Sequence, residues 1–135
     1  MNFGCLNIRS LNNKLDDVLE VRRDLCIDVL FVVETWHDPD AVCIRRLRAD
    51  GFHVVDAPRP RAVSDTVVTN HGGIAVVAFT GARLQPLDIG GFFGATPTTF
   101  GFVCVRASSG DVSYIVCAIY RPGSAIPCLP PSSPT

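Results

Sequence analysis

Apolar positions along this chain recur in two rhythms, and the changes between them mark its elements. Phe3 to Ile8 reads as a short strand, with Ser10 or Asn12 placed to cap a following helix. Leu11, Leu15, Val18, Leu19, Leu25 and Cys26 then fall on one helical face, while Lys14, Asp16, Asp17, Glu20 and Arg23 fall mostly elsewhere. That spacing predicts an amphipathic helix covering a sheet. Val29 to Val33 is apolar at every position and rich in β-branched residues, which predicts a central strand buried on both faces. Asp38-Pro39 carries a helix-start pattern, since Asp38 can cap and proline loses nothing at the first helical position. That helix runs through Cys43, Ile44 and Leu47 and stops at Asp50-Gly51, and Phe52 to Asp56 follows as a short strand.

Beyond a Pro-, Arg- and Ser/Thr-containing loop from Ala57 to Asn70, only strands are predicted. They are Gly73 to Phe79, a weaker one from Arg83 to Ile89 broken by Pro86, and Phe100 to Arg106. A turn at Ser108-Ser109-Gly110-Asp111 then leads into Val112 to Tyr120. Residues 1–123 form one folded unit in this reading. Residues 124–135, with Pro127, Pro130, Pro131 and Pro134, form an extended or disordered tail. The order predicts an α/β domain, helices layered on mixed strands with an antiparallel later part. A doubly wound nucleotide-binding fold would need helices between the later strands, which the pattern does not predict, and Gly90, Gly91 and Gly94 lack the following helix of a phosphate-cradling loop.

Composition narrows the picture. A chain of 135 residues with 47% hydrophobic residues is one globular domain or a piece of one. No apolar run reaches the ~20 residues of a membrane-spanning helix, and the N-terminus lacks the pattern of a secretory signal. The six cysteines show no Cys-x-x-Cys pair and no histidine at zinc-finger spacing. They read as reduced, structural thiols, which predicts an intracellular protein, cytoplasmic or nuclear, that is not secreted. The net charge of −1 gives no overall nucleic-acid footprint. Arg45, Arg46, Arg48, Arg59 and Arg61 read as a solvated face and loop more readily than as a phosphate-contacting patch. His37, His53 and His71 share no ligand spacing, and each reads as a surface or loop residue.

The candidate chemistry lies at strand ends. Glu34 follows five consecutive apolar residues, where an ionised carboxylate is costly unless paired or metal-bound. Mg²⁺ prefers oxygen ligands and keeps several waters, so one or two protein oxygens suffice. Asn7, from a neighbouring strand end, would support such an ion. Taken singly, Asn7 reads more readily as a turn-capping amide, Glu34 equally as a solvent-facing carboxylate, and Tyr120 as a core or rim aromatic.

Taken together, four segments carry a resemblance: Asn7-Ile8-Arg9-Ser10-Leu11 with Asn12-Asn13-Lys14, Glu34-Thr35-Trp36, His71-Gly72-Gly73-Ile74-Ala75-Val76, and Ile119-Tyr120-Arg121-Pro122-Gly123. In this order and spacing the chain resembles the endonuclease/exonuclease/phosphatase superfamily. Within it, the chain looks most like the apurinic-type endonuclease domain of non-LTR (LINE-like) retrotransposons. The resemblance implies a two-sheet α/β sandwich of mixed strands with helices on the outside, and a Mg²⁺- (or Mn²⁺-) dependent phosphodiesterase that nicks DNA. It implies Glu34 as metal-binding carboxylate, Asn7 as its partner, Tyr120 near the scissile phosphate, and Arg121 assisting. No small-molecule cofactor and no membrane enter.

The chain departs from that family after Gly123. It has no Gly-Asp-Phe-Asn-like or Ser-Asp-His-like motif, and no Asp or His beyond Asp111. In the family those groups orient the attacking water and handle the proton. General acid–base help is worth ~10²–10⁴-fold, and groups acting as a unit fail together. The expectation is an incomplete sandwich, a truncated endonuclease inactive alone, prone to self-association through exposed sheet edges. Two other readings remain: a phosphoesterase of the same superfamily acting on small phosphoesters, and a non-catalytic α/β relic or interaction fragment.

Overall fold

The computed structural model describes residues 1–59, 72–88 and 101–120. The elements are β1 (Phe3–Asn7), α1 (Leu11–Leu25), β2 (Val29–Val33), α2 (Val42–Ala49) and β3 (His53–Ala57), then β4 (Ile74–Ala78), β5 (Arg83–Pro86), β6 (Gly101–Ser109) and β7 (Val112–Tyr120). Arg121 and the proline-rich segment lie outside the described residues, as do His71 and most of the loop after Ala57.

The strands form two sheets, ordered β1-β2-β4-β3 and β5-β6-β7. In the first, β2 pairs parallel with β1 and antiparallel with β4, so a strand without polar positions occupies the interior. All five β2 residues are buried, and alternation divides them between two cores. Leu30 and Val32 face Leu11, Leu15 and Val18 of α1 and Cys43, Ile44 and Leu47 of α2. Val29, Phe31 and Val33 face Leu84, Val103 and Val105 of the second sheet. The architecture is therefore three layers, helices on sheet on sheet, an α/β sandwich with its helices outside.

Local departures from the sequence pattern have specific causes. Ser10 stands at the cap position of α1, but its side chain makes no capping hydrogen bond, and its backbone is at φ 91°. Asn12 does cap, but it caps the other helix: its Oδ1 accepts from the Cys43 N–H at 3.2 Å. Because α1 supplies that cap, α2 begins at Val42, past the Asp38-Pro39 start that the sequence predicts. Leu25 and Cys26 leave the buried face. Cys26 takes the left-handed conformation at φ 53° that ends α1, and both residues are exposed. The hairpin from β6 to β7 turns on Gly110 and Asp111, with Gly110 at φ 59°.

The thiols divide by burial. Cys43 and Cys104 are buried, whereas Cys5, Cys26 and Cys117 are exposed, contrary to a uniformly structural role. Cys104 faces Cys117 across the β6–β7 ladder, with Sγ atoms 2.7 Å apart. Burial, then the hydrogen bond and charge of Cys117, push the Cys104 thiol up to about 11. Brief alkylation at pH 8 is therefore expected to modify Cys26 and Cys5 while sparing Cys104 and Cys43, read by peptide mass spectrometry. Rapid labelling of Cys104 would contradict this environment.

Among the described residues no helix is long and apolar enough to cross a membrane. Strand β7 is the last strand of its sheet, and Ile115 and Ile119 on it are 62% and 69% exposed.

Candidate functional site

The site is built at the C-terminal ends of β1 and β2, where two turns grip one stretch of backbone. From one side, Ser10 N–H donates to Glu34 O at 3.0 Å and Leu11 N–H to Thr35 O at 2.9 Å. From the other, Thr35 N–H donates to Gly73 O at 3.3 Å and Trp36 N–H to Gly72 O at 2.8 Å. Held this way, Glu34 has φ 55° and Trp36 φ 53°, with Arg9 at φ 50° in the facing turn. Non-glycine residues reach this region at a cost of ~1–2 kcal/mol each, and such strain concentrates at functional sites.

Asn7 ends β1 opposite Val33, the residue before Glu34. Parallel neighbours lie ~4.8 Å apart and share a face, so Asn7 projects on the side of Val33 and Phe31, toward the second sheet. The T-shaped contact of Phe3 with Tyr114 at 5.6 Å shows β7 beside that face of β1. Tyr120, three alternations beyond Tyr114, packs on the inter-sheet core and reaches Glu34. Burial, followed by donation of its hydrogen bond to Glu34 and by that residue's charge, raises the Tyr120 phenol far above its usual value. It stays a protonated donor throughout the neutral range. Glu34 and Tyr120 thus meet, and Asn7 ends the neighbouring strand opposite the residue before Glu34, while Arg121 lies outside the described residues.

Two cations that the sequence reading left unassigned belong to this end of the fold. Arg9 Nε lies 3.9 Å from Glu34 Oε2, and both Arg9 and Arg59 act electrostatically on Tyr120. Arg9 stood inside the quoted Asn7–Leu11 segment. Arg59 stood in the basic stretch read as solvated, and only its fold position beside Gly72 distinguishes it.

Beneath Glu34 lies a polar network that the sequence did not reveal. His37 lies in the loop between β2 and α2, as read, but it is fully buried, which corrects the surface half of that reading. Its Nδ1 is 2.5 Å from Thr35 Oγ1 and its Nε2 is 3.0 Å from Asp56 Oδ2. Arg48 completes the chain by donating to Asp56 Oδ1 at 3.1 Å and to Val54 O at 3.1 Å. With Asp56 ionised, the network assigns the proton to Nε2 and makes Nδ1 the acceptor of the Thr35 hydroxyl. Gly73 lies against this pair: a Cβ there would stand 2.5 Å from Thr35 Oγ1. The network therefore fixes the segment that carries Glu34.

The donor set at the site is hard oxygen: one carboxylate, one amide and one phenol. Among the described residues no cluster of three or more His, Cys, Asp or Glu could hold a metal ion. A Mg²⁺ ion that keeps most of its water needs only one or two protein oxygens, so Glu34 with Asn7 fits such an ion.

The search against protein-family models found no match, and neither did that against curated proteins. Solved structures do match. The AP endonuclease from Archaeoglobus fulgidus superposes with a TM-score of 0.50 at 18% identity, over 85% of this chain and 40% of that one. The chain therefore shares part of the α/β-sandwich fold of that endonuclease. Also similar are the 3′ phosphatase NExo from Neisseria bound to a product DNA hairpin (TM-score 0.48, 20% identity, 82% of this chain, 38% of that one) and the AP endonuclease LMAP from Leishmania major (0.49, 16%, 87% and 38%). The chain spans about two fifths of the length of these proteins. In the terms of this fold, Glu34, Asn7 and Tyr120 lie along one end of the paired sheets.

Proposed function

We propose that this chain carries the metal-binding part of a Mg²⁺-dependent DNA phosphodiesterase site, of the kind its sequence resembles in non-LTR retrotransposon endonucleases. The contact of Glu34 with Tyr120 beside the end of the strand that carries Asn7 supports this most, at backbone that strain and hydrogen bonds hold in place. Bound to Glu34 and Asn7, a divalent ion would polarise a phosphoryl oxygen. The chain's own residues do the rest of the positioning. Arg9 and Arg59 make the approach attractive to a phosphodiester, and the Tyr120 O–H, once Glu34 turns from it to the ion, would donate to a phosphate oxygen without adding charge. The Thr35–His37–Asp56 network keeps Glu34 aimed.

Among the described residues none is placed at this site to activate water or to protonate the leaving oxygen. The chain alone is therefore expected to bind the ion without competent nicking. Self-association through the β7 edge, with Ile115 and Ile119 exposed, fits the same reading.

Melting curves with and without Mg²⁺, run beside a supercoiled-plasmid assay, test both halves of the proposal. Mg²⁺ is expected to raise the wild-type melting temperature and leave Glu34→Gln unmoved, with the plasmid intact. An equal Mg²⁺ response in Glu34→Gln removes the ion site, and nicking that Glu34→Ala abolishes overturns the inactivity.

A further inference from the structure

At the opposite end of the sandwich lies a cleft of about 730 Å³ that shares no residue with the Glu34 site. Strand β3 runs parallel to β2, since both are antiparallel to β4, so His53 at its start is far from the end that carries Glu34. The cleft is lined by His53, Arg83, Gln85, Arg106, Ser108 and Ser109, together with turn backbone at Gly81 and Gly110. Among the described residues no acidic side chain lines it.

Strand register explains why these groups share one surface. Arg83 pairs with Ser108 and Gln85 with Arg106 in the antiparallel β5–β6 ladder. Directly opposed residues share a face, and diagonal neighbours lie ~7–8 Å apart, within reach of long side chains. Leu84, Val105 and Ala107 point the other way, into the core between the sheets. The two guanidinium groups are therefore held near each other, exposed, with no ion pair to either among the described residues.

His53 adds a directed donor. The Leu84 N–H, on the free edge of β5, donates to His53 Nδ1 at 2.9 Å. An Nδ1 that accepts leaves the ring proton on Nε2. Two guanidinium forks, an imidazole N–H, the Ser109 hydroxyl and a carboxamide supply donors, with no carboxylate among the described lining residues to answer them, while Ser108 Oγ donates to Ser113 Oγ at 3.3 Å. Planar guanidinium forks match the oxygens of a phosphate group better than any uncharged ligand.

We infer that the cleft between the start of β3 and the β5–β6 ladder is a phosphate-binding site, with Arg83 and Arg106 as its charged clamps and His53 as a positioned donor. The inference stands apart from the metal site. It is tested by adding inorganic phosphate to the ¹⁵N-labelled full chain, with chloride holding ionic strength constant. Saturable shifts are expected at the amides of Gly81, Ser108 and Gly110. Arg83→Gln and Arg106→Gln should each weaken binding by roughly tenfold, the scale of one charge-assisted bidentate contact. Glu34→Gln should leave the shifts unchanged, so that failure of the Mg²⁺ site and failure of this cleft are told apart. A second titration with a short DNA duplex identifies the source. Shifts of the same amides at lower concentration than phosphate assign a nucleic-acid backbone, shifts with phosphate alone assign the free ion, and either supports the site. Shifts that rise linearly without saturating, or that persist unchanged in both arginine variants, overturn it.

Discussion

Replacing Gly73 with alanine is expected to lower stability by about 3 kcal/mol, the combined scale of a left-handed non-glycine residue and an overpacked contact. Two independent effects act at this position. The backbone is at φ 90°, which L-residues seldom adopt, and the added methyl would meet Thr35 Oγ1 at 2.5 Å with the His37 ring at 3.4 Å. Neither neighbour can withdraw. Thr35 is buried and hydrogen-bonded to a histidine that is itself fully enclosed. A loss of that size is a large fraction of the ~5–15 kcal/mol that holds a domain together, and corresponds to a drop of roughly 10 °C in melting temperature. Gly51→Ala is the natural control: it has a comparable φ of 92° but nothing within 4 Å of the new Cβ. If both variants melt together, backbone conformation alone matters and the steric account of Gly73 fails.

The second large effect belongs to His37. Truncation to alanine removes two hydrogen bonds, opens a cavity under the Glu34 segment, and leaves the Thr35 hydroxyl and the Asp56 carboxylate without their ring partner. Buried polar deletions of this kind cost about 3 kcal/mol. Urea unfolding should show a lower midpoint at unchanged slope.

The same network sets a response to acid. The hydrogen bond from His37 holds the Asp56 carboxyl below its usual value of 3.8, burial opposes it, and the charge and hydrogen bond of Arg48 add to it. A depressed carboxylate contributes stability that is present above its unfolded value and lost as pH falls through its folded value. Wild-type protein should therefore lose stability below about pH 4 more steeply than Asp56→Asn. Asp28, whose carboxyl is also lowered, chiefly by the Thr80 hydroxyl, contributes equally to both proteins. Parallel acid profiles would show that Asp56 draws nothing from the ring.

What the sequence made legible was local. Val29 to Val33 announced a doubly buried strand because every position was apolar, and the structure places it between helices and second sheet. Asp50-Gly51 and Gly110-Asp111 marked a helix end and a hairpin because backbone at positive φ favours glycine. The unread features depend on partners far along the chain. Asn12 caps a helix 31 residues away, which moved the start of α2 past Asp38-Pro39. His37 reaches Asp56 only because β3 and β2 both pair with β4. Asn7, Glu34 and Tyr120 were each ambiguous alone, and it is the position of β7 that sets Tyr120 against Glu34 and the parallel β1–β2 register that ends Asn7's strand next to them. Arg9 and Arg59 gain meaning from the same geometry, which no spacing in the sequence encodes.

The left-handed backbone at Glu34 has a consequence for laboratory evolution. A selection for heat resistance would favour glycine or asparagine at this position and at Arg9 and Trp36, because those residues relieve torsional strain at once. The carboxylate assigned to the ion would be among the first groups discarded. Libraries built to improve this chain's durability should hold position 34 fixed, since there robustness and chemistry pull in opposite directions.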